Sequence, residues 1–183
     1  MGEKGTLYFF TGLAGAGKTT IGGLFYERLK RKNPDAVLLD GDRQRAAAGH
    51  NEGDAVTVEN RYTTEARKAG ARGLFQYCKR LTDQGLDVVC CSISMYHEIR
   101  AWNRENIQNY QEIYVKVSRE TLYKRDQKNL YSSGAKNVVG VDLPWDEPGQ
   151  SDIVIQNDGH ETPGEIVNRL EQHFDLNRLE GTA

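Results

Sequence analysis

The feature that most constrains the fold is a glycine-rich stretch near the start of the chain, residues 12–19, with the sequence GLAGAGKT. It follows a short run of β-branched and aromatic residues, 6–11, and precedes a segment whose apolar residues recur at helical spacing. The stretch matches G-x-x-x-x-G-K-[ST] at every fixed position, in the strand–loop–helix context that this motif needs. We therefore predict a P-loop, a backbone cradle for the phosphates of a nucleotide.

Each residue type in this loop has a physical reason. Glycines let backbone N–H groups turn inward around a phosphate, where a side chain would obstruct them. Lys18 would neutralise charge on the β- and γ-phosphates of ATP, and the Thr19 hydroxyl would bind Mg²⁺. The predicted ATP contacts of the loop are Gly12, Ala14, Gly15, Ala16, Gly17, Lys18 and Thr19.

The rest of the chain alternates apolar strands with amphipathic helices. Strands are predicted at residues 6–11, 36–39, 86–93, 113–117 and 152–155, and helices after the loop and at about 58–83, 97–108, 119–125 and 163–174. This alternation is typical of a mostly parallel sheet with helices on both faces. We predict an α/β P-loop NTPase fold with a five-stranded sheet in a single domain, residues 1–183. The long irregular connection at about 126–150 is predicted to be an active-site lid.

The overall charge and the cysteines limit the partners. The formal net charge is −2, so the chain has no general attraction to nucleic acid or to an anionic membrane. Three cysteines are too few and too badly spaced for a disulfide scaffold or a zinc site. We expect no signal peptide, and the given sequence contains no apolar run of membrane length. We expect a cytoplasmic protein that binds neither nucleic acid nor membrane.

Two classes of P-loop protein compete, a kinase for a small molecule and a nucleotide switch. The sequence DEPGQ at residues 146–150 has the form of a GTPase D-x-x-G-Q, but no strand precedes it and the guanine-reading N-K-x-D motif is absent. Asp40 and Asp42 end the second strand, at the sheet edge that carries the P-loop. A carboxylate there would hold Mg²⁺ through water or accept a proton from an attacking hydroxyl. A kinase is favoured, although either carboxylate alone could instead cap the next helix.

Several motifs, in order from about residue 7 to 155, resemble the adenylylsulfate kinase family. The resembling segments are residues 12–20 (the phosphate loop), 40–45 (DGDRQR for D-G-D-N-x-R), 91–96 (CSISMY for S-x-I-S-P-Y), 125–131 (RDQKNLY for R-D-P-K-G-L-Y) and 140–146 (GVDLPWD for G-I-D-x-P-Y-E). These enzymes transfer the γ-phosphoryl group of ATP to the 3′-hydroxyl of adenosine 5′-phosphosulfate. The resemblance implies a Mg-ATP-dependent kinase for a small nucleotide, and the family's habit suggests a homodimer.

The resemblance also implies roles for individual residues. The expected catalytic residues are Asp42, Asp40, Lys18 and Lys128, with the Asp42 carboxylate as base or Mg²⁺ organiser. Thr20 and Arg125 join the loop residues as ATP contacts. The expected acceptor contacts are Asp42, Arg45, Tyr62, Arg67, Ile93, Ser94, Lys128 and Val138. Of these, Arg45 and Arg67 would hold the anionic group of the acceptor nucleotide.

Departures from the family pattern cluster on the acceptor side. The family stacks the acceptor adenine between two phenylalanines. Tyr62 corresponds to the first and keeps an aromatic face, but Val138 corresponds to the second and has no ring. An asparagine that contacts the acceptor is replaced by Gly70. Each loss would cost ~1–3 kcal/mol for the old ligand. Adenylyl sulfate leads as the expected acceptor, a cytidine nucleotide such as cytidine diphosphoramidate is the close alternative, and a non-nucleotide hydroxyl acceptor is third.

Overall fold

A parallel sheet forms the centre of the molecule. The computed structural model describes residues 2–41, 63–125, 139–140, 143 and 145–176. The strands are β1 (Leu7–Thr11), β2 (Val37–Asp40), β3 (Val88–Cys91), β4 (Tyr110–Lys116) and β5 (Ile153–Gln156). All pairs are parallel and the order is β2-β3-β1-β4-β5. The predicted five-stranded α/β fold is confirmed.

Helices cover both faces of this sheet. They are α1 (Lys18–Lys32), α2 (Thr64–Asp83), α3 (His97–Asn106), α4 (Arg119–Arg125) and α5 (Pro163–His173). Successive side chains of a strand point to opposite faces, so Phe9 and Phe10 of β1 enter different cores. Phe10 packs with α1 and α5, whereas Phe9 packs with α2 and α3. β1 is therefore buried on both faces. Because it is also the central strand, the loop that follows it lies at the middle of one edge of the sheet.

The predicted elements are found with shifted ends. β4 starts at Tyr110, so the prediction that it starts at residue 113 was wrong. The polar residues Gln111 and Glu112 hide the first residues of this strand in the sequence pattern, and Glu112 is buried against charged partners. α2 begins at Thr64, where the Thr63 hydroxyl accepts the N–H of Ala66.

Parts of two predictions lie outside the described residues. These are residues 58–62 of the second predicted helix and most of the predicted lid, of which residues 139–140, 143 and 145–150 are described. Within the described part of the chain, none of the helices has the length and apolar character to cross a membrane.

Candidate functional site

The glycines of the P-loop are required by backbone geometry. Gly12 and Gly17 have φ angles of 150° and 97°, values that residues with a side chain rarely adopt. A Cβ on Gly17 would lie 2.7 Å from Nδ2 of Asn157, and one on Gly12 would lie 2.4 Å from the carbonyl oxygen of Val115. The loop therefore turns tightly between β1 and α1 in the form that the sequence motif predicts.

Lys18 is folded back across this loop. Its side chain is buried, and its Nζ donates a hydrogen bond to the carbonyl oxygen of Leu13 at 2.8 Å. Lys18 is also the first residue of α1, so the cation lies beside the helix N-terminus with its partial positive charge. A loop with a lysine and a helix N-terminus facing inward suits a group with several negative charges, such as a polyphosphate.

Thr19 and Asp40 meet at the ends of α1 and β2. The Thr19 hydroxyl donates to Oδ2 of Asp40 at 3.1 Å. A hydroxyl and a carboxylate are the hard oxygen ligands that Mg²⁺ accepts, with water completing its coordination. This pair therefore fits the Mg²⁺ that a P-loop enzyme carries beside its nucleotide. Thr20 follows on α1 and is exposed.

Asn157, which the sequence analysis missed, braces the P-loop from the far side. Its side-chain amide donates to the carbonyl oxygen of Ala16 at 2.8 Å, and this bond is buried. Its own carbonyl accepts from Arg125 at 2.8 Å, so the predicted ATP contact Arg125 lies next to the loop. The only sequence signal for Asn157 was its position directly after the fifth strand, at the edge where ligands bind.

A small cavity is lined in part by residues that were predicted to contact the acceptor. Its volume is about 20 Å³ and its lining residues are Arg67, Ile93, Ser94, Tyr96 and Val139. Three of these were predicted acceptor contacts, so the structure brings Arg67 of α2 together with the segment that follows β3. Tyr96 and Val139 were missed, although Tyr96 lies within a motif that the sequence analysis quoted.

Ser94 gives the cavity a strained wall. Its φ angle is 30°, in the left-handed region that serine adopts at a cost. The residue is buried, and its hydroxyl lies 2.8 Å from the hydroxyl of Ser92. The end of β1 supports the same segment, because the Thr11 hydroxyl donates to the carbonyl oxygen of Ile93 at 2.6 Å.

The segment after Val139 touches the P-loop. Gly140 has a φ angle of 86°, and a Cβ there would lie 2.6 Å from the side chain of Leu13. Because Lys18 bonds to the carbonyl of this same Leu13, the lysine, the P-loop and the segment after Val139 meet at one residue. The other predicted site residues, Asp42, Arg45, Tyr62, Lys128 and Val138, lie outside the described residues.

The strand order, the P-loop on β1 and the carboxylate beside its threonine together define a P-loop kinase, which in this class draws its phosphoryl group from ATP. Comparison with known proteins makes the assignment more specific. The family model for adenylylsulphate kinase matches residues 4–156, and the chain belongs to that family.

Relatives of two activities resemble the chain over most of its length. Cytidine diphosphoramidate kinase of Campylobacter jejuni is 41% identical over 174 residues, which is 93% of this chain and 92% of that protein. Adenylyl-sulfate kinase of Staphylococcus carnosus is 31% identical over 179 residues, covering 93% of this chain and 86% of that protein.

Solved structures share the fold. The APS kinase of Mycobacterium tuberculosis, in complex with AMPPNP and APS, superposes with a TM-score of 0.80 at 24% identity. The match covers 97% of this chain and 99% of that one. At this level of identity the likeness shows the fold alone.

Proposed function

We propose that this chain transfers the γ-phosphoryl group of ATP to the 3′-hydroxyl of a cytidine nucleotide, with cytidine diphosphoramidate as the acceptor. The observation that carries the proposal is the identity of 41% to a cytidine diphosphoramidate kinase, against 28% to 33% for the adenylyl-sulfate kinases compared with it. The departures from the adenylyl-sulfate pattern in the acceptor pocket support the same choice.

In this proposal the ATP half of the site keeps the family arrangement. Lys18 neutralises negative charge on the β- and γ-phosphates, while the loop backbone holds them in place. Thr19 and Asp40 would hold Mg²⁺, which when bound would neutralise charge at the phosphates. Arg125, adjacent to Asn157, helps to position the nucleotide. Asp42 orients or deprotonates the attacking hydroxyl, and Lys128 stabilises the transferring group.

The acceptor half is the part that differs. Arg67 places a guanidinium in the cavity wall, which suits the anionic group of a nucleotide. Gly70 lies three residues further along α2, on the same side of the helix, where the family pattern has an asparagine. A Cβ at Gly70 would meet nothing within 4 Å, so space does not exclude a side chain there. Without the asparagine amide at Gly70 and the aromatic ring at Val138, the chain lacks two contacts that the family pattern makes with an adenine nucleotide.

The proposal is tested by steady-state kinetics with a panel of acceptors. ADP release is measured with cytidine diphosphoramidate, CDP, adenylyl sulfate and AMP, each varied at saturating Mg-ATP. We expect kcat/KM for cytidine diphosphoramidate to exceed that for adenylyl sulfate by about tenfold or more, since the two lost contacts are each worth ~1–3 kcal/mol. A preference for adenylyl sulfate would overturn the proposal and would favour sulfate activation instead.

The expected homodimer belongs to the same proposal. Size-exclusion chromatography with light scattering of the purified chain measures it directly, and a monomer at the concentrations of the kinetic assay would contradict it.

A further inference from the structure

A buried ion pair lies away from the P-loop and has no role in the proposed chemistry. Arg100 of α3 and Glu112 of β4 are 5% and 1% exposed, and Nε of Arg100 lies 3.8 Å from Oε1 of Glu112. The Glu112 carboxylate also accepts the hydroxyl groups of Tyr110 and Ser151, each at 2.8 Å. Burying two charges carries a desolvation penalty that good partners only roughly offset. The pair therefore adds little to the net stability of the fold. The other hydrogen bonds of Arg100 are more informative about its role.

The second contact of Arg100 points to the acceptor side. Its Nη1 donates to the backbone carbonyl oxygen of Asp146 at 3.0 Å. Asp146 also bonds to both sides of the chain turn at residues 95–97. Its N–H donates to the carbonyl of Met95 at 2.8 Å, and its carboxylate accepts the N–H of His97 at 2.8 Å. We call these three hydrogen bonds, from Arg100 to Asp146 and from Asp146 to the two sides of the turn, the Asp146 clamp.

The clamped turn carries the wall of the cavity. Ile93, Ser94 and Tyr96 line it, and Ser94 holds the strained φ angle of 30°. A residue in this region costs ~1–3 kcal/mol and persists only where the surroundings hold it. Asp146 closes the turn one residue after Ser94, and Arg100 fixes Asp146 to the interior of the protein.

We propose that Arg100 is a positioning residue for the acceptor: through the Asp146 clamp it holds the strained wall against which the acceptor nucleotide binds. The inference rests on the proposed function only in placing the acceptor in this cavity, and it does not depend on which base the acceptor carries. The partners of Arg100, Glu112 and Asp146, lie outside the P-loop, so we expect its loss to weaken acceptor binding and to leave ATP binding unchanged.

Arg104 provides a matched control on the same helix. It approaches the same Glu112 carboxylate at 3.7 Å and also binds Asp152 at 3.2 Å, but its hydrogen bonds and ion pairs among the described residues do not include Asp146. Arg100→Gln and Arg104→Gln each remove one cation from Glu112. Only Arg100→Gln also removes the bond to Asp146.

The first test measures both substrates in both variants, with the acceptor that the wild-type chain phosphorylates. We expect Arg100→Gln to raise the acceptor KM about tenfold, equivalent to ~1.4 kcal/mol, with the Kd for ATP within about twofold of wild type. Arg104→Gln lowers the melting temperature but leaves the acceptor KM in place. Equal effects of the two variants on the acceptor KM, or a parallel loss of ATP affinity, would overturn the proposal.

A second pair of variants covers the case in which Arg100→Gln does not fold. Asp146 is exposed, so Asp146→Ala removes the one clamp bond that its side chain makes, in which the carboxylate accepts the N–H of His97, without leaving a buried charge. Asn at this position keeps an oxygen that accepts the N–H of His97. We expect Asp146→Ala to raise the acceptor KM and Asp146→Asn to restore most of the affinity. Equal KM values for the two would contradict the clamp.

A third readout needs no substrate. Trp145 adjoins Asp146, and with Trp102→Phe as background it becomes the single tryptophan of the chain. We expect acrylamide to quench Trp145 fluorescence more strongly in Arg100→Gln than in Arg104→Gln. Identical quenching in the two variants would contradict the clamp, whatever the result of the acceptor panel. Failure to phosphorylate any acceptor in the panel would instead contradict the proposed function.

Discussion

In the proposed kinase, Lys18 prepares the site for ATP before the nucleotide binds. It is buried and bonded to the Leu13 carbonyl, so its cation already lies across the cradle where the phosphates are expected. A group held in place loses little entropy when the substrate arrives, which is how positioned charges accelerate phosphoryl transfer.

Replacing this lysine should therefore abolish turnover. We predict that Lys18→Ala lowers kcat by about 10³-fold or more, the scale at which a well-placed cation acts in phosphoryl transfer. Lys30→Ala, at the exposed far end of the same helix, is the control and should keep wild-type activity. The measurement is ADP release at saturating acceptor, with circular dichroism to confirm folding. An active Lys18→Ala protein would refute the assignment of the P-loop.

A second prediction at this scale concerns Val138, whose role rests on the sequence pattern because it lies outside the described residues. Val138→Phe restores the ring that the adenylyl-sulfate pattern has at this position. We expect kcat/KM for adenylyl sulfate to rise about tenfold, within the ~1–3 kcal/mol that base stacking contributes. The same kinetics with cytidine diphosphoramidate serve as the internal comparison. No change, or a loss for adenylyl sulfate, would contradict the alignment.

At the scale of elements, Asn157 joins the end of β5 to the P-loop. Its amide donates to the Ala16 carbonyl, and its own carbonyl accepts from Arg125 at the end of α4. Three elements therefore meet at one residue, and its side-chain donor Nδ2 is the group that holds the P-loop.

Removing that donor should weaken ATP binding. Asn157→Asp places an acceptor oxygen opposite the Ala16 carbonyl, and Asn157→Leu places no polar group there. We expect both variants to raise the KM for ATP by about tenfold, since a lost buried hydrogen bond costs ~1–3 kcal/mol, while the acceptor KM stays near wild type. An effect of Asp without an effect of Leu would indicate charge repulsion of the phosphates and would contradict the bracing role.

The elements that were predictable from sequence are those whose signals are local. The P-loop, α1 and α4 carry their signals in consecutive residues, and α4 was predicted with its observed bounds, Arg119–Arg125. The start of β4 was missed because Glu112 reads as a surface residue until Arg100, a neighbour only in space, is placed against it. Asn157 and the Asp146 clamp were missed for the same reason, since their partners lie 141 and about 50 residues away in sequence.

At the scale of the whole molecule, the two cores on either side of the sheet are both closed to solvent. Cys91 belongs to the core under α1 and α5, and Cys78 and Cys90 belong to the core under α2 and α3. Burial raises the pKa of the Cys91 thiol to about 12, and the pKa of Cys90 is also raised well above its usual value, through its hydrogen bond to Cys78 and through burial.

These thiols should report on opening of the fold. Thiolate is the reactive form. At about pH 8 the raised pKa values keep the Cys90 and Cys91 thiols protonated, and burial makes all three cysteines inaccessible. We predict that a disulfide reagent such as DTNB labels the native protein slowly and all three cysteines rapidly in guanidinium chloride. Unfolding followed by tryptophan fluorescence gives the comparison. Rapid labelling of the native protein would contradict the closed packing of one or both cores.

Across these scales we propose one arrangement: the ATP half of the site follows its family, and the acceptor half is altered to take a cytidine nucleotide. The most direct measurement is a competition in one tube, with equal concentrations of cytidine diphosphoramidate and adenylyl sulfate, limiting ATP, and the products separated and identified by mass spectrometry. Our account predicts that the phosphoryl group is found on the cytidine nucleotide. Predominant phosphorylation of adenylyl sulfate would contradict it.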